Sequence, residues 1–338
     1  MHFKYFLYLL IIILFFGCSN KQLPDVSNIK VDVALERFEQ DFFVMDSLQT
    51  EKSLDALQLK YPSFAIDYLF NILGATPQKD STLKLVNLFI NDAIYKQVSK
   101  DAQIQFKNFS VYKKEIEQSF KYIKYYFPKY NLPKKIITFV GPIDGVGTAL
   151  TSTHDIAIGL QSFLGANYPI YNSAYVQEIY PSYITQKFAP NYISLNVVKN
   201  IVDEMYPYTH SGRPLIEQMV EKGKRLYLQD ALLPNIPDSV KMGYTGNQLS
   251  ECNNNEAFIF SFFVQNNLLF QREPSIIMPF ITDGPKTQEL SQTAPGNIGS
   301  FVGFKIVQNW MKKNKNKTLE QLMNTPATAI FNEANYKP

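Results

Sequence analysis

Lys135-Ile136-Ile137-Thr138-Phe139-Val140-Gly141-Pro142-Ile143-Asp144-Gly145 is the stretch on which the fold turns. β-branched and aromatic residues crowd positions 135–140, which favours a strand, and the Gly-Pro pair ends it. Gly147–Ser152 and Asp155–Leu160 read as two more strands, so the three together suggest an antiparallel meander. Upstream, Ile29, Val31, Val33 and Leu35 alternate with polar residues and add a half-buried strand to it. Gly145-x-Gly147 is too short for a dinucleotide loop, and no helix opens there with phosphate-binding spacing. A tight turn accounts for those glycines.

On both sides of this small sheet the periodicity is helical. Arg37-Phe38-Glu39 leads into a helix through Met45. Thr50 caps a segment carrying Leu54 and Leu57, and Ser63 caps one carrying Ile66 and Phe70. Leu85, Leu88, Phe89 and Ala93 form one stripe, and Tyr112, Ile116, Phe120 and Ile123 another. After the sheet come stripes at Val198, Ile201, Val202 and Met205, and at Leu215, Met219 and Leu226. A further helix carries Leu249, Cys252, Ile259 and Phe263, and the last runs from Ile298 to Met311. Gly299-x-x-x-Gly303 in that helix is flanked by Lys305, Gln308 and Asn309, so its spacing suits close packing inside the protein rather than in a membrane. Gly303→Leu is expected to destabilise by overpacking. The expected fold class is α+β, mainly helical with a small antiparallel sheet. No composition shift, long linker or repeat divides residues 29–338, which read as a single domain.

The chain has 338 residues, 46% hydrophobic and 19% charged, enough to build a substantial core. Phe and Tyr number 26 and 21 against a single Trp. The net charge of +3 is too small to imply nucleic-acid binding. Lys312-Lys313-Asn314-Lys315-Asn316-Lys317 is the one basic cluster and reads as a solvated loop.

The N-terminus carries an address. A charged start, an apolar run from Phe6 to Phe16, then Gly17-Cys18-Ser19-Asn20 has the layout of a secretory signal over residues 1–17. The run is shorter than the roughly 20 residues that a spanning helix needs. A small residue followed by cysteine resembles the lipobox of bacterial lipoproteins, although Phe15 stands where leucine is usual. Cys18 is the expected lipidation site and new N-terminus, and residues 18–28 a tether to the fold. Stable anchoring takes more than one acyl chain. Ser19-Asn20-Lys21-Gln22 has no acid beside the cysteine, which favours the periplasmic face of the outer membrane. With Cys18 lipidated, Cys252 is the remaining thiol, so no intrachain disulfide is expected, and Cys252 reads as a buried residue.

Chemistry is sparsely marked. Outside the signal, histidine occurs only at His154 and His210. They are far apart in sequence, and neither belongs to an H-E-x-x-H helix. There is no G-x-S-x-G elbow, and Cys252 has no evident histidine partner. The acids of Asn200-Ile201-Val202-Asp203-Glu204-Met205-Tyr206-Pro207, followed by those of Glu217–Tyr227, resemble the layout of helical zinc peptidases. Salt bridges and helix-end charges explain them as well.

A family resemblance rests on several segments taken together. Ile158–Gly165, Gly223-Lys224-Arg225-Leu226-Tyr227, Asp230-Ala231-Leu232-Leu233-Pro234, Gly243-Tyr244-Thr245, Asn255-Glu256 and Pro295–Val307 resemble the gliding motility lipoprotein GldB family of the Bacteroidota, in the same order. Arg37-Phe38-Glu39 and Tyr336-Lys337-Pro338 agree. The resemblance implies a lipid-anchored envelope protein of gliding motility, working with partners of the motility and type IX secretion machinery. It also implies a distant relation to zinc peptidases of zincin-like fold. Such relatives would carry His-Glu at Asp203-Glu204 and a second His at Pro207. Only the general-base position, Glu204, survives, and a base without its metal cannot activate water in this way. The expectation is therefore a non-catalytic derivative with no cofactor or metal, Asp203 and Glu204 being the weak candidates for chemistry. The alternative is an envelope zinc peptidase with an atypical site built from Asp203, His210 or Glu221. Gln161 and Asn297 stand where the family tends to carry Asp and Arg, which marks a divergent member with an altered site.

Overall fold

The computed structural model describes residues 23–208 and 212–338. Four strands, β1 (Ala34–Arg37), β2 (Lys135–Phe139), β3 (Thr148–Leu150) and β4 (Ile156–Gly159), pair in the order β1-β2-β4-β3. β1 is parallel to β2, β2 is parallel to β4, and β3 is antiparallel to β4. The sheet is thus mixed, which corrects the expected antiparallel meander. After Gly141 the chain does not fold back beside β2. It passes on to the far edge, and the β3–β4 hairpin returns β4 into the neighbouring place. Parallel pairing needs a crossover of about a dozen residues or more, and the helices between Phe38 and Tyr126 supply it between β1 and β2. The alternating run from Ile29 pairs only from Ala34. Before that, Val33 N–H donates to the Glu117 carboxylate at 3.2 Å, and Ile29 N–H to the Val26 carbonyl at 3.1 Å. Val26 is already buried in the core.

Side chains alternate across the pleat, and both faces of the sheet are covered. Ile136, Ile156 and Ile158 face the larger core; Ile137, Phe139 and Ala157 face a smaller one with Phe38, Phe42, Phe64 and Tyr68. The first segment after β1 is fixed electrostatically. Glu39, fully buried, accepts from Arg37 Nε at 2.6 Å and from Thr138 Oγ1 on β2 at 2.7 Å. Burying that carboxylate is tolerable only because it is paired and hydrogen-bonded.

The principal helices are α1 (Thr50–Lys60), α2 (Lys79–Asn91), α3 (Ala93–Gln105), α4 (Ser110–Tyr126), α5 (Ile193–Met205), α6 (Leu215–Leu232), α7 (Gly246–Asn254), α8 (Glu256–Gln265), α9 (Pro274–Ile281), α10 (Ile298–Lys313), α11 (Leu319–Asn324) and α12 (Ala327–Ala334). Leu54 and Leu57, Ile116, Phe120 and Ile123, Val198, Ile201 and Val202, and Leu215, Met219 and Leu226 are buried as their spacing predicts. Elsewhere breaks defeat the periodicity. The helix after Arg37 stops at Phe42, and in the next segment Ala65, Tyr68 and Leu69 are buried while Ile66 and Phe70 are exposed. Asp92 accepts from the N–H groups of Ile94 and Tyr95, so α2 ends where α3 begins. The inward stripe of α2 is accordingly Val86, Phe89 and Ile90, and Leu88 faces solvent. The helix expected from Leu249 to Phe263 divides at Asn255.

α6 runs through the middle of the larger core against α4, α5, α10 and α12. Its crossing with α10 is a backbone contact. A Cβ placed on Gly223 would lie 2.2 Å from Gly303 carbonyl atoms, and one on Gly303 would lie 1.7 Å from the Met219 carbonyl oxygen. The small residues of α10 thus serve packing within the protein, as their soluble flanks imply. No described helix is long and apolar enough to cross a membrane.

Nothing in this element order supports a zincin-like fold, and α5 shows why the sequence misleads. The helix ends at Met205, and Tyr206 leaves it at φ −136°, ψ 70°. Position 207 therefore does not lie one helical turn beyond Asp203, as a two-ligand metal helix requires.

Candidate functional site

α5, α6, the turn at 240–243, Asp283 and the first turn of α10 enclose a cleft of about 200 Å³. Each wall follows from local sequence. On α6, Met219 and Gly223 (i, i+4) seat against α10, which turns Lys222 and Arg225 (i, i+3) to the cleft. On α5 the buried stripe of Val198, Ile201 and Val202 leaves Lys199 at the opening. Gly243 ends a short helix at φ +72°, and a Cβ there would stand 2.8 Å from Lys187 Cε. Glycine both permits the left-handed turn and lets the Lys187 stem lie across it. Asn297 opens α10 at φ +59°, a region that Asn tolerates better than most residues.

The cleft is strongly basic, with Lys187, Lys199, Lys222, Arg225 and Lys241 against Asp283. Three of these cations are committed. Lys187 pairs with Asp283 at 2.7 Å, and Lys241 pairs with Asp230 at 2.5 Å and Asp238 at 2.9 Å. Arg225 pairs with Asp203 at 2.7 Å and also donates to the Tyr206 carbonyl. Asn297 Nδ2 donates to Asp283 at 3.1 Å, and Ser300 Oγ donates to Asn297 Oδ1 at 2.7 Å. Burial alone would raise the Asp283 carboxyl. The charges of Lys187 and Lys199 and the Asn297 hydrogen bond outweigh it and hold the group below its ordinary value. Burial lowers the Lys222 ammonium below its ordinary value, and Lys199 and Arg225 add to this while Asp283 opposes it.

The acids singled out in the sequence are elsewhere engaged. Asp203 is the outer partner of Arg225, and Glu221 pairs with the buried Lys224 at 2.9 Å. Glu204 accepts from Tyr130 Oη and lies 3.0 Å from His154 Nδ1, whose Nε2 is 2.8 Å from the Asn131 carbonyl. This cluster ties the end of α5 to the β3–β4 hairpin. Among the described residues no three His, Cys, Asp or Glu side chains gather as a metal site; His210 and Cys18 lie outside those residues. Gln161 is a buried brace: it accepts from Gly141 N–H at 3.0 Å and donates to the Val146 carbonyl at 3.1 Å. It shares no partner with Asn297, so the two departures from the family pattern fall in different places. Cys252 is buried, and burial pushes its thiol up to about 12.

Sequence reasoning read Glu217–Tyr227 for its acids and missed its bases. A signal was present, since Lys222 and Arg225 share a helix face. The contributions of Lys187, Lys199 and Lys241 depend on tertiary approach. Several segments that carried the resemblance converge here: Arg225 and Leu226, Gly243, and Asn297 with Ser300 line the cleft, and Asp230 holds Lys241.

The described residues form a mainly helical domain around a four-stranded mixed sheet, with a basic cleft between α5, α6 and α10. The chain belongs to the family of gliding motility protein GldB, which matches residues 19–338. Membership makes it a gliding motility component and a lipoprotein of the envelope. No curated protein and no solved structure matches the chain.

Proposed function

We propose that this protein is a non-catalytic interaction component of gliding motility and of the associated type IX secretion machinery, held by lipid on Cys18 at the periplasmic face of the outer membrane. The observation that carries the reading is the family match, which begins at residue 19, directly after the lipobox cysteine, and runs to residue 338. The neighbourhood of Asp203 and Glu204 supports it. Both carboxylates hold structural cations or hydroxyls, and α5 stops before Pro207. Lipid supplies the position and the packed domain supplies the surface that partners meet.

The test is made in a gliding host. Cys18→Ala is expected to leave the membrane fraction and to abolish spreading and secretion while the domain stays folded. An unprocessed Cys18→Ala protein that stays in the membrane and supports motility would sink the reading. Capture of the intact lipoprotein from its own envelope should bring down components of the same machinery. Stoichiometric zinc in purified protein, lost in Asp203→Ala, would replace this reading with the envelope peptidase that uses Asp203, His210 or Glu221.

A further inference from the structure

Three features of the basic cleft belong together. Lys199 and Lys222 have no hydrogen-bond or ion-pair partner among the described residues, whereas Lys187, Arg225 and Lys241 are all paired. Gln229 on α6 lines the same cleft at 5% exposure, and its side-chain amide has no partner among the described residues. Its amide atoms are not sealed from solvent, so the NH₂ lines the cleft as a donor that a ligand oxygen can take. The volume, about 200 Å³, falls below the ~300–1,000 Å³ of sites that enclose a whole small molecule. It suits one charged group with the rest of its bearer outside.

We infer that this cleft binds the phosphate group of a phosphate-bearing ligand between Lys199, Lys222 and the amide of Gln229. The number of donors selects the ligand: Lys199, Lys222 and the Gln229 amide all line the cleft. A phosphate monoester carries roughly −1.5 to −2 at neutral pH and matches both unpaired ammonium groups. A carboxylate offers two oxygens, whereas a phosphate monoester offers three, one for each of those donors. Lysine binds phosphate as a point charge, and the Gln229 NH₂ donates to a phosphate oxygen. Asp283 is the one acid at the site and is held to the side by Lys187 and Asn297. Arg225, committed to Asp203 and the Tyr206 carbonyl, adds field without a free donor fork. The chemistry is shared by a soluble phosphate and a lipid phosphate headgroup.

The test uses the full-length lipoprotein in detergent at low salt, titrated calorimetrically with inorganic phosphate and, separately, with dihexanoyl phosphatidic acid. Saturable binding of at least one is expected. Lys222→Met and Gln229→Leu should each weaken it about tenfold or more, and Lys312→Met should change it less than about twofold. Lys222→Met removes a half-buried unpaired cation, so its melting temperature without ligand should equal or exceed that of the parent, which separates lost binding from lost folding. Tighter binding of phosphatidic acid than of phosphate identifies a lipid headgroup; equal binding identifies a soluble phosphate; either result upholds the site. The inference is overturned if neither probe binds at about 10 mM, or if binding survives both Lys222→Met and Gln229→Leu within about twofold.

Discussion

Gly303→Ala is the sharpest test of how this protein holds together. On helix propensity alone the change should stabilise by about 1 kcal/mol. The structure gives the opposite sign. The new Cβ would stand 1.7 Å from the Met219 carbonyl oxygen and 2.3 Å from its carbon, where ordinary contact begins at 3.4 Å. These are backbone atoms of α6, so no side chain can swing aside. α6 and α10 must part by about 1.7 Å, and gaps of even 0.5–1 Å forfeit a quarter to a half of the dispersion well along the interface. Overpacking costs about 1–3 kcal/mol and occasionally more, and the upper end applies here. For a domain of this size, with an unfolding entropy of about 2.1 cal/mol/K per residue, that is a fall in melting temperature of about 5 °C. Gly303→Leu should fall further. Thermal unfolding by circular dichroism measures both, with Gly246→Ala as the control, because nothing lies within 4 Å of a Cβ there. A Gly303→Ala protein that melts with or above the parent would refute the close backbone contact.

Other expectations concern protonation and access. Lys222 has its pKa lowered in the folded state by burial, Lys199 and Arg225 against Asp283. The unfolded chain then binds more protons just below the ordinary lysine value, and stability should rise with pH across that window; Lys222→Met should flatten the rise in urea midpoints. Asp283 is held below its ordinary value, so its contribution is present above about pH 4 and disappears as pH falls through the folded value. Asp283→Asn should therefore soften acid unfolding followed by fluorescence. With its thiol buried and pushed up to about 12, Cys252 should resist alkylation in native protein and react at once in denaturant, as mass spectrometry would show; rapid native labelling would contradict its burial. Glu204→Gln should cost about 1 kcal/mol through its Tyr130 and His154 contacts, and a loss of motility at normal stability and abundance would instead point to a specific role for that end of α5.

The helices with strong one-sided stripes, α4, α5, α6 and α10, were legible because burial against a core enforces the 3.6-residue period. β2, β3 and β4 were legible too, but β1 was read too early and the strand order was missed. Residues 136–139 and 156–159 read alike whether neighbours run parallel or antiparallel, since both faces of this sheet are buried. Caps cut what periodicity joined: Asp92 and Asn255 divide continuous apolar patterns through single backbone torsions. The cleft was the least legible part. Its cations come from four separate segments, and which of them remain unpaired depends on where Asp203, Asp230, Asp238 and Asp283 fall in three dimensions. The apparent metal helix failed for a local reason, because Tyr206 leaves the helix before Pro207.

The burial of Val26 sets a mechanical limit. With a lipid on Cys18, the leash ends where Val26 enters the core, about eight residues on, and spans at most about 28 Å at full stretch. A compact body of this length has a radius of gyration of about 19 Å and hence a diameter of roughly 50 Å, so the leash is shorter than the body it holds. The protein can swivel on the membrane but cannot turn the face around Val26 away from it. Whatever docks must come from the side or from the face turned away from the membrane, and the spread of orientations it meets is narrow before any contact is made.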